Sequence, residues 1–192
     1  MELVEGVASV ADVDEFVERL GAIGDEHDVT VQAFDARYVV DRTHLERAVE
    51  LADRAIARGE NVARDRAVEI LCYAAGRRQI ERALTMGVST GETPAVVLVD
   101  AGSNGESSDV ESAVSAGVDE DENENGTGTM AEREAAAVVE SMDVLDPRET
   151  LGDYDPELVC AFFDVGEAEL AVVDGDLPAL VHERVALLDV EK

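Results

Sequence analysis

The sequence contains a single lysine, Lys192, and every other residue in its Lys and Arg count is an arginine. Fifteen Lys and Arg residues face 45 Asp and Glu residues, so the formal net charge at pH 7 is -30. Solubility in ordinary buffer does not require so large a charge. Because the Debye length falls to about 3 Å in molar salt, self-repulsion is largely screened there. We therefore expect a protein from an extreme halophile, with an acidic protein that binds basic partners as the alternative.

Cysteine is also scarce, and tryptophan is absent. Only Cys72 and Cys160 could form a disulfide, the start lacks the pattern of a signal peptide, and no apolar run reaches the length of a membrane span. We therefore expect a cytoplasmic protein with reduced thiols and no membrane partner. Because hydrophobic residues make up 46% of the 192 residues, a wholly disordered chain is excluded and one domain with a proper core is expected.

Residues 1–100 alternate between strand-like and helix-like patterns. Strands are predicted where apolar residues alternate or run together, at residues 3–7, 29–34 and 95–99. Helices are predicted where apolar residues recur every three or four positions, at residues 13–20, 45–56, 63–75 and 79–84. These elements predict an α/β fold with a single domain, in which a mixed β-sheet is flanked by helices.

Polar residues and glycines mark the ends of the predicted helices. Asp12 is expected to cap the first helix, with Gly21 and Gly24 marking its end.

A capping box of Thr43 and Glu46 is expected to begin the second helix, which Gly59 then closes.

The composition changes between residues 101 and 129. This stretch is rich in Gly, Ser, Asn and acidic residues and contains no aromatic and no basic side chain. Structureless loops longer than about 12–15 residues are uncommon inside compact domains. We therefore interpret residues 101–129 as a disordered, acidic, low-complexity insertion, and residues 1–100 and 130–192 as one domain.

Regular structure is expected again after the insertion. A capping box of Thr129 and Glu132 predicts a helix at that point. Residues 169–173 are predicted as a strand, residues 178–184 as a helix and residues 185–190 as a closing strand.

Residues 69–84 carry the most distinctive motif of the chain. They read EILCYAAGRRQIERAL, which resembles the signature E-I-L-x-x-x-S-G-x-R-Q-I-x-x-A-I of the TPRKB family, the small kinase-binding subunits of the KEOPS complex. Ala75 stands where the family usually has Ser, and Leu84 replaces a β-branched residue. Residues 35–48 and 183–192 resemble the family as well, in the same order along the chain.

The resemblance implies a protein without catalytic activity or cofactor that works inside a larger assembly. Family members bind the atypical Bud-type protein kinase of KEOPS, and archaeal members also hold the single-stranded 3′ CCA end of tRNA. The complex installs threonylcarbamoyl on the adenosine beside the anticodon, while its transferase and kinase subunits do the chemistry. The resemblance therefore implies two partners, the kinase subunit and tRNA.

The charge distribution points to the same part of the chain. Residues 37–84 contain ten arginines and eight acidic residues, a net charge of +2, so the remainder carries -32. A polyanion could approach this segment without strong repulsion, and guanidinium groups pair with phosphates and stack on bases. The alternative is that Arg78 and Gln79 cap neighbouring elements and that several other arginines pair with acidic residues along their own helices. The residues predicted to contact tRNA are Arg64, Arg66, Tyr73, Arg77, Arg78, Gln79 and Arg82.

No arrangement of residues predicts catalysis or zinc binding. The three histidines are scattered, and neither a Walker phosphate-binding loop nor a nucleophile elbow occurs. Asp121, Asn123, Asn125 and Glu132 match the spacing of a calcium-binding EF-hand loop, although Gly128 occupies a position that normally holds a β-branched residue. A stand-alone small-molecule or calcium-binding domain is therefore the alternative function.

Overall fold

A computed structural model gives the fold and describes residues 1–102 and 129–190. Residues 103–128, most of the predicted insertion, lie outside the described residues. The strands are β1 (Glu2–Val10), β2 (Thr30–Asp35), β3 (Gly91–Asp100) and β4 (Leu145–Pro147). The helices are α1 (Val13–His27), α2 (Arg42–Arg58), α3 (Arg66–Ala74), α4 (Ile80–Ala83), α5 (Met130–Glu140), α6 (Pro156–Phe163), α7 (Glu167–Val172) and α8 (Leu177–Val190).

The described strands form one sheet in the order β2-β3-β1-β4. The predicted single α/β domain with a sheet flanked by helices is confirmed. The sheet was expected to be mixed, but all three pairings between described strands are antiparallel. β1 and β2 do run in the same direction, but β3 lies between them, so these two strands are not neighbours.

Helices cover both faces of the sheet, and alternate residues of β3 point to opposite faces. Val96 and Leu98 pack in a core that also contains buried residues of α2, α3 and α8. Ala95, Val97 and Val99 pack in a second core with buried residues of α1 and α5. Burial on both faces explains why this strand is a continuous apolar run in the sequence.

The N-cap of α1 agrees with its prediction, but the C-terminal end does not. Asp12 caps the helix by accepting two backbone hydrogen bonds from the first turn. The helix continues past Gly21 and Gly24 and ends at Asp28, whose backbone is left-handed with φ 54°. A Cβ atom at Gly24 would lie 2.7 Å from the Val29 carbonyl oxygen. This glycine therefore permits a close approach of the chain and does not stop the helix.

The start of α2 also differs from its prediction. Asp41 caps the helix, and its Oδ1 accepts a hydrogen bond from the His44 N–H at 2.8 Å. The predicted pair Thr43 and Glu46 therefore lies inside the helix. Gly59 closes α2 as expected, in the left-handed conformation (φ 68°) that favours glycine.

Two strands predicted near the C-terminus are wrong. Residues 169–173 lie mostly in α7, and residues 185–190 continue α8. A short apolar run fits a strand and a buried helix equally well. Residues 185–190 are helical because the buried residues of α8 follow a helical spacing and α8 packs against α2 and α6. These buried residues are Leu177, Leu180, Val181, Val185 and Leu188.

The capping box of Thr129 and Glu132 is confirmed at the start of α5. Glu132 is buried, and its Oε2 accepts a hydrogen bond from the Thr129 N–H at 2.7 Å. Its Oε1 accepts another from the Ala101 N–H at 2.9 Å. One carboxylate therefore joins the end of β3 to the start of α5.

A buried glutamate holds the loop between α2 and α3. Glu69 is only 1% exposed, and its Oε2 accepts hydrogen bonds from the N–H groups of Val62 (2.9 Å) and Ala63 (2.8 Å). The same loop carries Arg64, one of the residues predicted to contact tRNA. Glu69 thus positions a predicted contact residue without reaching the surface itself.

A buried histidine links α2 to α3. The His44 ring is fully buried, and its Nε2–H donates to the Ala74 carbonyl oxygen at 2.8 Å. The ring also contacts the edge of Phe163, with 5.9 Å between the ring centroids. Burial lowers the pKa of His44 from the ordinary 6.5 to about 4, so the ring is neutral at physiological pH.

Replacement of Glu69 by Ala should lower the free energy of unfolding by about 2 kcal/mol, because two buried N–H groups lose a charged acceptor. Glu69→Gln keeps one acceptor oxygen and should lose less. Chemical denaturation in molar KCl measures both values. Equal midpoints for wild type and Glu69→Ala would show that the loop does not depend on this carboxylate.

Acid should destabilise the fold through His44. As pH falls below 6.5, the unfolded chain takes up this proton before the folded chain does, because the folded pKa is about 4. The stability that depends on a neutral His44 is fully present above the ordinary pKa of 6.5. It is lost as the pH falls from there to the folded pKa of about 4, and the total loss is roughly 3 kcal/mol. Unfolding curves at several pH values measure this loss. His44→Gln can still donate to Ala74 but does not titrate, so an undiminished slope in this variant would assign the effect to other groups.

Candidate functional site

The seven residues predicted to contact tRNA lie on α3, on α4 and on the segments that precede these helices. The structure divides them into two groups. One group already has partners within the protein: Tyr73 is buried, and Arg66 and Arg77 form ion pairs. The other group lies at or near the surface and consists of Arg64, Arg78, Gln79 and Arg82.

Arg66 forms an internal network of ion pairs. Its Nε and Nη2 donate to the two carboxylate oxygens of Asp53 at 2.7 and 2.8 Å, and its Nη2 also donates to Asp100 at 2.5 Å. Burial lowers the pKa of this guanidinium, but the hydrogen bonds to Asp53 and Asp100 together raise it above the ordinary value. Arg66 therefore ties α3 to α2 and to the end of β3, which leaves it poorly placed to pair with a phosphate.

Tyr73 belongs to the core between the sheet and α2, α3 and α8. Its side chain is only 3% exposed. A base can stack on a tyrosine only if one face of the ring is accessible. In this conformation the ring serves packing.

Arg77 binds the C-terminal end of α6. Its Nη2 donates to the Phe162 carbonyl oxygen and, at 2.7 Å, to Oδ2 of Asp164. Its guanidinium carbon also lies 5.7 Å from the centre of the Phe162 ring. The final carbonyls of a helix lack partners within the helix, so a guanidinium is well suited to this position.

The surface group has a different environment. Arg64, Arg78 and Arg82 form no ion pair with any residue that the structure describes. Gln79 is the N-cap residue of α4 but makes no side-chain capping bond. Because α4 has only four residues, its dipole adds little to anion binding. The arginine side chains themselves must supply any attraction for a phosphate.

Sequence analysis missed Arg184 on α8. Its Nε donates to the Phe163 carbonyl oxygen at 3.3 Å, and its Nη2 donates to Glu169 at 2.6 Å. Both Arg77 and Arg184 line a cavity of about 250 Å³ beside Asp164. The available signal was weak: Arg184 is the only arginine after Arg148. Its proximity to Arg77 arises only when α8 folds against α6.

The calcium-loop prediction lies largely outside the described residues. Asp121, Asn123 and Asn125 are not described, and the carboxylate of Glu132 already accepts two backbone hydrogen bonds. Within residues 1–102 and 129–190, no group of three His, Cys, Asp or Glu side chains could hold a metal ion. Calcium binding stays a prediction.

A larger groove lies on the opposite side of the sheet. It has a volume of about 560 Å³ and is lined by β1, by α5 and by residues 147–149. None of the predicted contact residues lines it. No helix in the described part of the chain is long and apolar enough to cross a membrane.

Comparison with known proteins identifies the family. A family model described as kinase binding protein CGI-121 matches residues 7–189. No curated protein matches the sequence. The match covers nearly the whole chain, including the motif at residues 69–84, and confirms the resemblance to the TPRKB family. The chain therefore belongs to the CGI-121 family of kinase-binding proteins.

Proposed function

We propose that this chain is a non-catalytic accessory subunit of a KEOPS-type complex, in which it binds the Bud-type atypical kinase and the 3′ CCA end of tRNA. Membership of a kinase-binding family supports the first partner. The resemblance of residues 69–84 to the KEOPS subunits supports the second. In this role the protein assists threonylcarbamoyladenosine formation on tRNA in the cytoplasm, while other subunits do the chemistry.

The observation that carries the RNA part of the proposal is the set of arginines without internal partners. Arg64, Arg78 and Arg82 form no ion pair with a described residue, although carboxylates outnumber cationic side chains threefold in this chain. A guanidinium whose donors are free can pair with a phosphate in two-pronged fashion. All three lie in the segment with a positive net charge. This surface is therefore the place where a polyanion meets the least repulsion.

The kinase interface needs a surface with exposed apolar side chains. Most apolar residues of α2 are buried against α3 and α8, so its core-facing side is unavailable for docking. Ile56 at the end of α2, Val62 in the following loop and Leu187 on α8 are between 38% and 41% exposed. We place the kinase at these three side chains, because α2 and α8 pack against each other.

Removal of the 3′ CCA from tRNA should abolish binding, because an unpaired end offers base faces and sugar hydroxyls that a duplex does not. Fluorescence anisotropy with intact and trimmed tRNA in molar KCl measures the difference. High salt is needed because a chain of this charge could unfold in dilute buffer. Unchanged affinity for the trimmed tRNA would contradict this binding mode.

The arginines provide a second measurement of the same proposal. Arg78→Gln and Arg82→Gln should each weaken tRNA binding and reduce the slope of log affinity against log salt by about 0.7, the value for one phosphate contact to a single strand. Arg19→Gln is the matched control, because Arg19 is exposed on α1, in the opposite layer, and forms no ion pair with a described residue. Equal losses in all three variants would indicate only a general effect of charge.

A tagged form of the protein should copurify with an atypical kinase from extracts of its own cells. Leu187→Asp and Ile56→Asp should abolish this copurification, because each introduces a charge into an apolar interface. Val17→Asp is the control, since Val17 is 55% exposed on α1 in the other layer. Retention of the kinase by both variants, with its loss in Leu84→Asp, would move the interface to α4.

A further inference from the structure

The guanidinium of Arg77 is held by three groups at the end of α6. Nη2 donates to the Phe162 carbonyl oxygen and to Oδ2 of Asp164, and the guanidinium lies over the Phe162 ring. The carbonyl and the ring belong to the helix itself and attract a cation without help from Asp164. Two of the three contacts therefore keep Arg77 in place even when the Asp164 carboxylate is absent.

A second arginine, Arg184, lines the same cavity as Arg77. Its contact with the Phe163 carbonyl places it at the same helix end, beside Arg77 and around the cavity of about 250 Å³. At roughly 30 Å³ for each water in the liquid, this volume corresponds to about eight waters and leaves room for a phosphate group. Glu169, the acidic partner of Arg184, is also held by the Gly166 N–H, which donates to its Oε2 at 3.0 Å. Glu169 therefore has a capping role of its own.

Asp164 lacks such a second attachment through its side chain. Its carboxylate contacts Arg77 alone among the described residues and is 75% exposed, whereas the Arg77 side chain is 23% exposed. The pKa of Asp164 lies below its ordinary value, chiefly because Arg77 donates a hydrogen bond to it and also because the charges of Arg82 and Arg184 are near. The carboxylate is thus an exposed anion at the point where arginines of α4, α8 and the α3–α4 loop converge.

We propose that the Asp164 carboxylate is an internal competitor for phosphate at Arg77, and that a phosphate of bound RNA displaces it. This inference rests on the proposed binding of tRNA. A carboxylate and a phosphate form the same short, charge-assisted hydrogen bonds with a guanidinium. An ion pair as exposed as this one contributes little stability, so exchange of one anion for another has a low cost. Asp164 therefore keeps the affinity for RNA below the value that the arginines alone would give.

The test is the affinity of the full-length Asp164→Asn variant for intact tRNA. Asparagine tolerates the left-handed backbone at this position (φ 54°), so the loop should keep its shape. Binding should become roughly two- to fivefold tighter, the range for release of one exposed ion pair. The slope of log affinity against log salt should change by much less than about 0.7, the value for one phosphate contact, because the same contact with Arg77 forms in the wild type once Asp164 is displaced. Circular dichroism at each KCl concentration verifies that both proteins are folded.

Two controls separate this effect from a general loss of negative charge. Asp28→Asn changes the charge equally at another aspartate with φ 54°, at the end of α1 in the opposite layer. Glu81→Gln removes a negative charge from exposed α4 near the arginines. Both should change the affinity less than Asp164→Asn does. In addition, the gain should disappear when Asp164→Asn is combined with Arg77→Gln, because the two residues act through one contact.

Each outcome decides the matter. A gain that requires Arg77 and exceeds both controls supports the competitor role. No gain, a gain equal to that of Asp28→Asn, or a gain that persists with Arg77→Gln overturns it while tRNA binding stands. If neither the wild type nor Asp164→Asn binds tRNA at any salt concentration that preserves the fold, the proposed tRNA binding itself is overturned, and this inference with it.

Discussion

Ion pairing with internal carboxylates determines which arginines of this protein keep free guanidinium donors. The chain has 45 acidic residues against 15 Lys and Arg residues, so carboxylates are available to pair with many of the arginines. Arg66 is the extreme case, since it joins three elements through Asp53 and Asp100. Arg64, Arg78 and Arg82, which form no ion pair with a described residue, lie on the short helix α4 and on the loops that precede α3 and α4. Their freedom is a property of the fold as much as of the composition.

The two layers of helices differ in the proposed contact residues that they carry. Every residue proposed to meet RNA or the kinase lies in the layer of α2, α3, α4 and α8 or in the loops of that layer. The layer of α1 and α5 packs on the other face of the sheet and contains none of these residues. Residues 95–100 of β3, which are all buried, separate the two layers. The control variants on α1 thus lie on the opposite side of the sheet from the proposed interfaces.

Local signals in the sequence predicted much of the fold, and the errors have physical causes. Asp12, Gly59 and the pair Thr129 and Glu132 mark helix ends through short-range hydrogen bonds or a special backbone conformation, so a few neighbouring residues suffice to predict them. The direction of strand pairing and the helical state of residues 185–190 depend on which elements meet in space. The same distinction applies to the candidate site. Arg66 and Arg78 have the same side chain, but only Arg66 meets Asp100, a residue 34 positions away. A sequence pattern does not reveal that meeting.

The carboxylate of Glu132 has a consequence for how the chain can vary. It binds the N–H groups of Ala101 and Thr129, so the two ends of the intervening segment are fixed by one side chain of the domain. The entropic cost of closing a loop between two fixed ends rises only with the logarithm of the number of residues in it, by about 0.6 kcal/mol for each doubling. Related proteins could therefore lengthen or shorten this segment through evolution with little change in the stability of the domain that bears it.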